Sequence, residues 1–94
     1  MPIIKILQLK RSDDLHYHRF LGWDHLKIHG LKFDIKNYDE VYEYASDDTD
    51  LENIFIKFQG SKPEGYKGHS LSVSDVVMID NDIYYVDSFG FKKI

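Results

Sequence analysis

Asp75-Val76-Val77-Met78-Ile79-Asp80-Asn81-Asp82-Ile83-Tyr84-Tyr85-Val86 reads as two strands joined by a turn. Both arms are apolar and rich in β-branched and aromatic residues. The polar Asp80-Asn81-Asp82 between them tolerate the positive φ that a hairpin turn demands. The first arm, Val76 to Ile79, is apolar on both faces, which predicts a central strand covered on two sides. Working outward, Ile3-Ile4-Lys5-Ile6-Leu7-Gln8-Leu9 alternates roughly and predicts another strand. Val41-Tyr42-Glu43-Tyr44 predicts a third, with its tyrosines on one face and Val41 and Glu43 on the other.

Helical spacing fills the gaps. From Leu15 to His29 the apolar residues Phe20, Leu21, Trp23, Leu26 and Ile28 suggest a helix, irregular around Gly22 and stopped by Gly30 in the left-handed region. Leu31 to Tyr38 reads as a connection with one short extended piece. Asp47-Asp48-Thr49-Asp50 is an N-cap signal ahead of Leu51, Ile54, Phe55 and Phe58, predicting a short amphipathic helix over residues 50–59. Gly60 ends it, and residues 60–65 form a surface loop. The expected architecture is α+β: a small antiparallel-rich sheet with a C-terminal β-hairpin and two helices packed against it.

Ninety-four residues suit one domain, residues 1–94. A chain this short hides only about 60–65% of its unfolded surface, so it has room for one modest core. Hydrophobic residues at 43% and aromatics at 15% argue against disorder. With no cysteine, disulfides, thiolate nucleophiles and thiolate metal sites are excluded. Stability must come from packing, as in a reducing cytoplasm. No apolar run approaches about 18 residues, and no signal-peptide profile opens the chain, so the expectation is a soluble cytoplasmic protein without a membrane partner.

The net charge of −4 is unevenly spread. Between Asp34 and Glu52 eight carboxylates face Lys36 alone, a local net charge of −7. The remaining residues hold eleven bases against eight acids, a net of +3. A nucleic-acid binder needs a basic stripe, and the concentrated charge here has the wrong sign. Phosphate backbones are repelled from such a face and cationic protein surfaces are drawn to it. Tyr42 and Tyr44 stand amid these carboxylates, and aromatic anchors inside an acidic rim suit an interface, although half-buried sheet tyrosines give the same pattern.

Gly68-His69-Ser70-Leu71-Ser72 approaches the nucleophile elbow G-x-S-x-G but has serine where a strained strand-to-helix turn needs the last glycine. Hydroxyls at a strand entrance more often satisfy loop backbone groups. Among five histidines, His25 and His29 stand at i, i+4, with His16, His18, Asp13, Asp14 and Asp24 nearby. That spacing lacks the embedded glutamate of H-E-x-x-H, so no metal and no cofactor is expected. Asp75, Asp80, Asp82 and Asp87 surround the hairpin and could do acid–base work or hold Mg²⁺ if they converged, but turn and strand-start chemistry accounts for them. Gly65-Tyr66-Lys67-Gly68 lacks the length of a phosphate loop.

At Gly68-His69-Ser70-Leu71-Ser72-Val73-Ser74-Asp75-Val76-Val77, followed by Tyr84-Tyr85-Val86-Asp87-Ser88-Phe89-Gly90-Phe91, the sequence resembles the YodL-like domain. The likeness extends to residues 51–58 and, more loosely, to residues 21–26 and 29–31. The resemblance implies a small protein of a bacterial mobile element or phage and brings no catalytic residues with it. Small proteins of that origin often inhibit host defence by covering the nucleic-acid-binding surface of a nuclease. The expectation is therefore a non-enzymatic module that blocks a basic host surface such as a CRISPR effector or restriction enzyme, as monomer or homodimer. Its partner-binding residues are Asp39, Glu40, Tyr42, Glu43, Tyr44, Asp47, Asp48, Asp50 and Glu52, with Trp23 as a further anchor. The alternatives are a small hydrolase using His69, Ser70 and Asp87, or an interaction domain for element-encoded DNA-processing proteins.

Overall fold

A computed structural model of the chain describes residues 1–10, 22–28, 30, 33–60, 63–87 and 90–94, the side chains of His25 and Lys27 excepted. Five strands, β1 (Ile3–Leu9), β2 (Tyr38–Ala45), β3 (Val76–Ile79), β4 (Asp82–Asp87) and β5 (Gly90–Lys93), form one sheet in the order β2-β1-β3-β4-β5. Every pairing is antiparallel. The apolar arm Val76–Ile79 is thus the middle strand, as its two-sided pattern requires. Two short α-helical segments, α1 (Trp23–Ile28) and α2 (Leu51–Lys57), and a 3-10 turn at Ile35–Asn37 accompany the sheet.

The strand and helix bounds differ from the sequence expectation in instructive ways. β2 begins at Tyr38 rather than Val41, because buried Tyr38 is held by a 2.6 Å bond from its hydroxyl to the Ser74 carbonyl. Asp39 and Glu40 sit comfortably in a strand here since an edge strand keeps one side in water. Ile79 pairs with Asp82, so the hairpin turn is Asp80-Asn81 alone, with Asp80 at φ 53. The Asp80 carboxylate accepts the Ile3 N–H at 2.9 Å, and the Asp80 N–H donates to the Ile3 carbonyl at 2.8 Å, tying the turn to β1. The connection before β2 is the 3-10 turn capped by Asp34, where a short extended piece was expected. β5 was not expected at all. Gly90, at φ 94, lets the chain double back and pair Phe91 with Val86. Of the helix expected over Leu15–His29, residues 15–21 and 29 lie outside the described residues, and α1 starts where Leu26 N–H reaches the Gly22 carbonyl. Gly30 does take the left-handed conformation, at φ 68.

Alternation divides the strands into two apolar faces. On one face Ile4, Ile6, Val77 and Val86 meet Ile54 and Phe58 of the α2 segment and Leu71, all buried. On the other, Leu7, Leu9, Val76 and Tyr85 meet Tyr38 and Leu26, with Trp23 and Phe33 packed alongside. Trp23 stands edge-on to Tyr85 at 5.2 Å, an attractive aromatic geometry. Val76 and Val77 are both fully buried, each on its own side.

Candidate functional site

The carboxylates of the acidic segment are exposed along the edge strand and into α2. β2 is an edge strand paired only with β1, and Asp39, Glu40 and Glu43 project from it into solvent. Asp47, Asp48, Asp50 and Glu52 continue the exposed run through the loop and into α2. Lys5 on β1 approaches Glu40 and Glu43 at 3.7 and 3.5 Å, in exposed pairs that water screens. Two of the aspartates also build the turn. Asp48 accepts from the Asp50 N–H at 3.1 Å, and Asp50 accepts from the N–H groups of Glu52 and Asn53 at 2.9 and 3.3 Å, making it the N-cap of α2.

The aromatic residues expected beside the acidic segment are placed differently from one another. Tyr42 and Tyr44 are half-buried and lean on Phe58, with ring centroids 5.8 and 5.7 Å away. Lys57 Nζ lies 4.4 Å from the Tyr44 ring centroid, a cation–π contact. Burial, then the nearby Asp48 and Tyr42, push the Tyr44 hydroxyl above its ordinary pKa. Trp23 belongs to the opposite face of the sheet, packed on Tyr85 and Phe33. The strand register sets Glu40 and Glu43, opposite Leu7 and Lys5, on the Trp23 face of the sheet, and Asp39, Tyr42 and Tyr44, opposite Gln8, Ile6 and Ile4, on the α2 face.

Residues 68–75 close a polar cluster around the buried side chains of Gln8 and Asp75. The Gln8 amide is 4% exposed and fully engaged. Its two hydrogens go to the His69 carbonyl at 2.8 Å and to Asp75 Oδ2 at 3.1 Å, and its oxygen accepts the His69 N–H at 3.1 Å. Asp75 Oδ2 also takes the Ser72 N–H at 2.8 Å. Burial outweighs these bonds and lifts the Asp75 carboxyl to about 6. Burial, then Asp75, raises the Tyr66 hydroxyl to about 12. Gly68 is glycine for a steric reason: a Cβ there would stand 2.1 Å from Gln8 Oε1. Ser72 to Asp75 make a tight turn closed by the Asp75 N–H on the Ser72 carbonyl at 3.1 Å, with Ser74 left-handed at φ 83. Beside the cluster lies an open cleft of about 550 Å³ with Lys10, Asp39, Lys67 and His69 on its walls.

This geometry gives His69, Ser70 and Asp87 separate neighbours. His69 Nδ1 lies 2.7 Å from the Ser70 carbonyl and 3.3 Å from Gln8 Nε2. Asp75 is the carboxylate 4.0 Å from His69 Nδ1. Ser70 Oγ donates to the Gln59 carbonyl at 3.2 Å, and Gln59 Nε2 in turn donates to the Leu71 carbonyl. Asp87 accepts the Trp23 N–H at 3.1 Å, at the start of α1. Of the expected histidine group, His16, His18, His29 and the His25 side chain lie outside the described residues, as do Asp13 and Asp14. Among the described residues no three His, Asp or Glu side chains are placed to hold a metal, and no helix is long and apolar enough to cross a membrane.

A third feature escaped the sequence reading. Phe55, Ile56, Val73, Val86 and Phe91 line an apolar groove of about 340 Å³ between α2 and the β4–β5 hairpin, with Glu52 and Asp87 also in its lining. Its one legible signal was Ile56, an apolar residue off the buried stripe of its helix.

The pattern of the YodL-like domain matches residues 3–94. The chain is 40% identical over 84 residues to "Uncharacterized protein R785" of Acanthamoeba polyphaga mimivirus, covering 70% of this chain and 77% of that protein. No solved structure matches.

Proposed function

The chain belongs to the YodL-like domain family, and from that premise we propose that it is a non-enzymatic protein-binding module whose acidic segment covers a basic protein surface. The surface in view is the nucleic-acid-binding face of a host defence nuclease, a CRISPR effector or a restriction enzyme. One observation carries the reading: Asp39, Glu40, Glu43, Asp47, Asp48, Asp50 and Glu52 are all exposed along one continuous run from an edge strand into a helix. Seven exposed carboxylates between positions 39 and 52 make a field that steers a cationic partner toward them. A relative carried by a virus accords with an origin in viral or mobile DNA.

The test is capture of partners from a bacterial host lysate by the tagged protein, with mass spectrometry. The expected result is enrichment of a defence nuclease, lost when salt is raised because exposed charges are screened beyond about 8–10 Å. Charge reversal must spare Asp50, whose carboxylate caps α2. The triple variant Asp39→Lys, Glu43→Lys, Asp47→Lys is expected to lose the partner while keeping wild-type thermal unfolding. Undiminished capture by that variant overturns the acidic-segment mechanism.

A further inference from the structure

We infer that the open cleft bordered by the end of β1, by β2 and by residues 67–69 is a binding site for a small phosphorylated sugar. Lys10, Lys67 and His69 receive the phosphate, and Asp39 accepts a hydroxyl of the same molecule. The inference goes beyond the binding of a protein partner and does not depend on it.

The walls of this cleft are held in place by the fold itself. Ile6 faces Tyr42 and Leu7 faces Glu40, so Val41 is an extra residue that bulges β2 at the cleft. The Val41 carbonyl accepts the Lys67 N–H at 3.1 Å, which fastens the loop to the sheet edge. Gln8, buried, grips the backbone of His69 twice, accepting its N–H at 3.1 Å and donating to its carbonyl at 2.8 Å. The Lys10 N–H donates to the Asn37 carbonyl at 2.9 Å and fixes the end of β1. Each cationic residue thus stands on anchored backbone, which lowers the ordering cost of binding.

Charge and shape select the occupant. The chain carries −4 overall, yet among the described residues of the cleft two lysines and a histidine stand against the carboxylate of Asp39. An ammonium is a compact point charge that suits phosphate. Three terminal oxygens can meet three separate donors, whereas a carboxylate offers two oxygens in one plane. Asp39 only accepts and repels a second phosphate, so it calls for a hydroxyl on a ligand with a single phosphate. The exposed carboxylates that follow it toward Glu52 disfavour a nucleic-acid chain in the same way. Leu9 and Val41 add apolar wall for the carbon frame of a sugar, and a volume of about 550 Å³ falls within the range of small-ligand sites.

The experiment titrates ¹⁵N-labelled protein with ribose 5-phosphate and, separately, with inorganic phosphate, glucuronate, O-phosphoethanolamine and a 5′-phosphorylated dinucleotide. Ribose 5-phosphate is expected to bind at least about tenfold tighter than each of the others. It is expected to move the amide signals of Lys10, Lys67, Gly68 and His69 and to leave those of Ile56 and Phe91 in place. Lys67→Gln keeps the backbone bond to Val41, and is expected to weaken ribose 5-phosphate about tenfold while keeping wild-type thermal unfolding. Asp39→Ala is expected to act with opposite signs, weakening ribose 5-phosphate and tightening inorganic phosphate. No shift with ribose 5-phosphate at about 10 mM, far weaker than a built site gives, overturns the inference. So does equal or tighter binding by glucuronate, by O-phosphoethanolamine or by the dinucleotide, which would assign the cleft to a carboxylate, an amine or a nucleic-acid end.

Discussion

At the scale of single residues, the region 68–75 is held by contacts that tolerate little change. Gly68→Ala would drive a methyl group to 2.1 Å from Gln8 Oε1, 2.8 Å from Gln8 Cδ and 3.1 Å from Val41 Cγ2. A glutamine end is normally free to swing aside, but here the movement breaks its bonds to His69 and Asp75. We expect a loss of about 2–3 kcal/mol in a urea titration, with Gly68→Ser no better. Asp75 makes a prediction of opposite flavour. Burial favours its protonated form, so the folded chain holds a proton over roughly pH 4–6 that the unfolded chain releases. Stability from this group is therefore present below pH 4 and is lost as pH rises through about 6. Asp75→Asn keeps an acceptor for the Ser72 N–H and cannot titrate. The stability difference between wild type and Asp75→Asn, measured by urea unfolding at intervals between pH 4 and 7, is expected to change by about 2–3 kcal/mol. A flat difference would locate the proton elsewhere. The motif itself was legible as a family resemblance, while its chemistry was not. Gln8 is one polar letter in an apolar strand, and nothing local ties it to an aspartate 67 positions later.

At the scale of elements, capping separates structure from charge in α2. Asp50→Ala is expected to cost about 1 kcal/mol of stability through two uncapped N–H groups, and Asp50→Ser to restore most of it. If Asp50→Ser still weakens partner capture, its charge contributes to binding as well. Phe58, fully buried and stacked on Tyr66 at 5.3 Å, joins that helix to the sheet. Phe58→Ala is expected to cost about 3–5 kcal/mol by chemical unfolding. This helix was legible because a cap signal and an apolar stripe agree. β5 was illegible because four residues, Gly90-Phe91-Lys92-Lys93, hold a single large apolar side chain, too few for any period to show. β2 was read too short because exposed acids resemble a loop until its edge position is known.

At the scale of the whole molecule, the central position of β3 followed from two valines that each need cover, and it orders the sheet's stability. Amide hydrogen exchange is expected to be slowest in β1, β3 and β4, which are paired on both sides, and faster by an order of magnitude or more in β2 and β5. Equal protection across all five strands would mean that the edges are covered in solution. The candidate interface was legible in composition and charge. The groove was hidden because it is assembled from α2, a loop and two strands far apart in the chain. The strand order also sets an acidic rim opposite a mixed one, where Lys93 pairs with Asp82 at 3.7 Å. Asp39, Glu40 and Glu43 occupy one border, Lys92 and Lys93 the other, about 19 Å away across four strand spacings. Near a cationic surface such a body feels a torque that turns its carboxylate rim forward before contact and its lysines to the rear. Alignment then precedes touch, and fewer collisions are wasted on the wrong side.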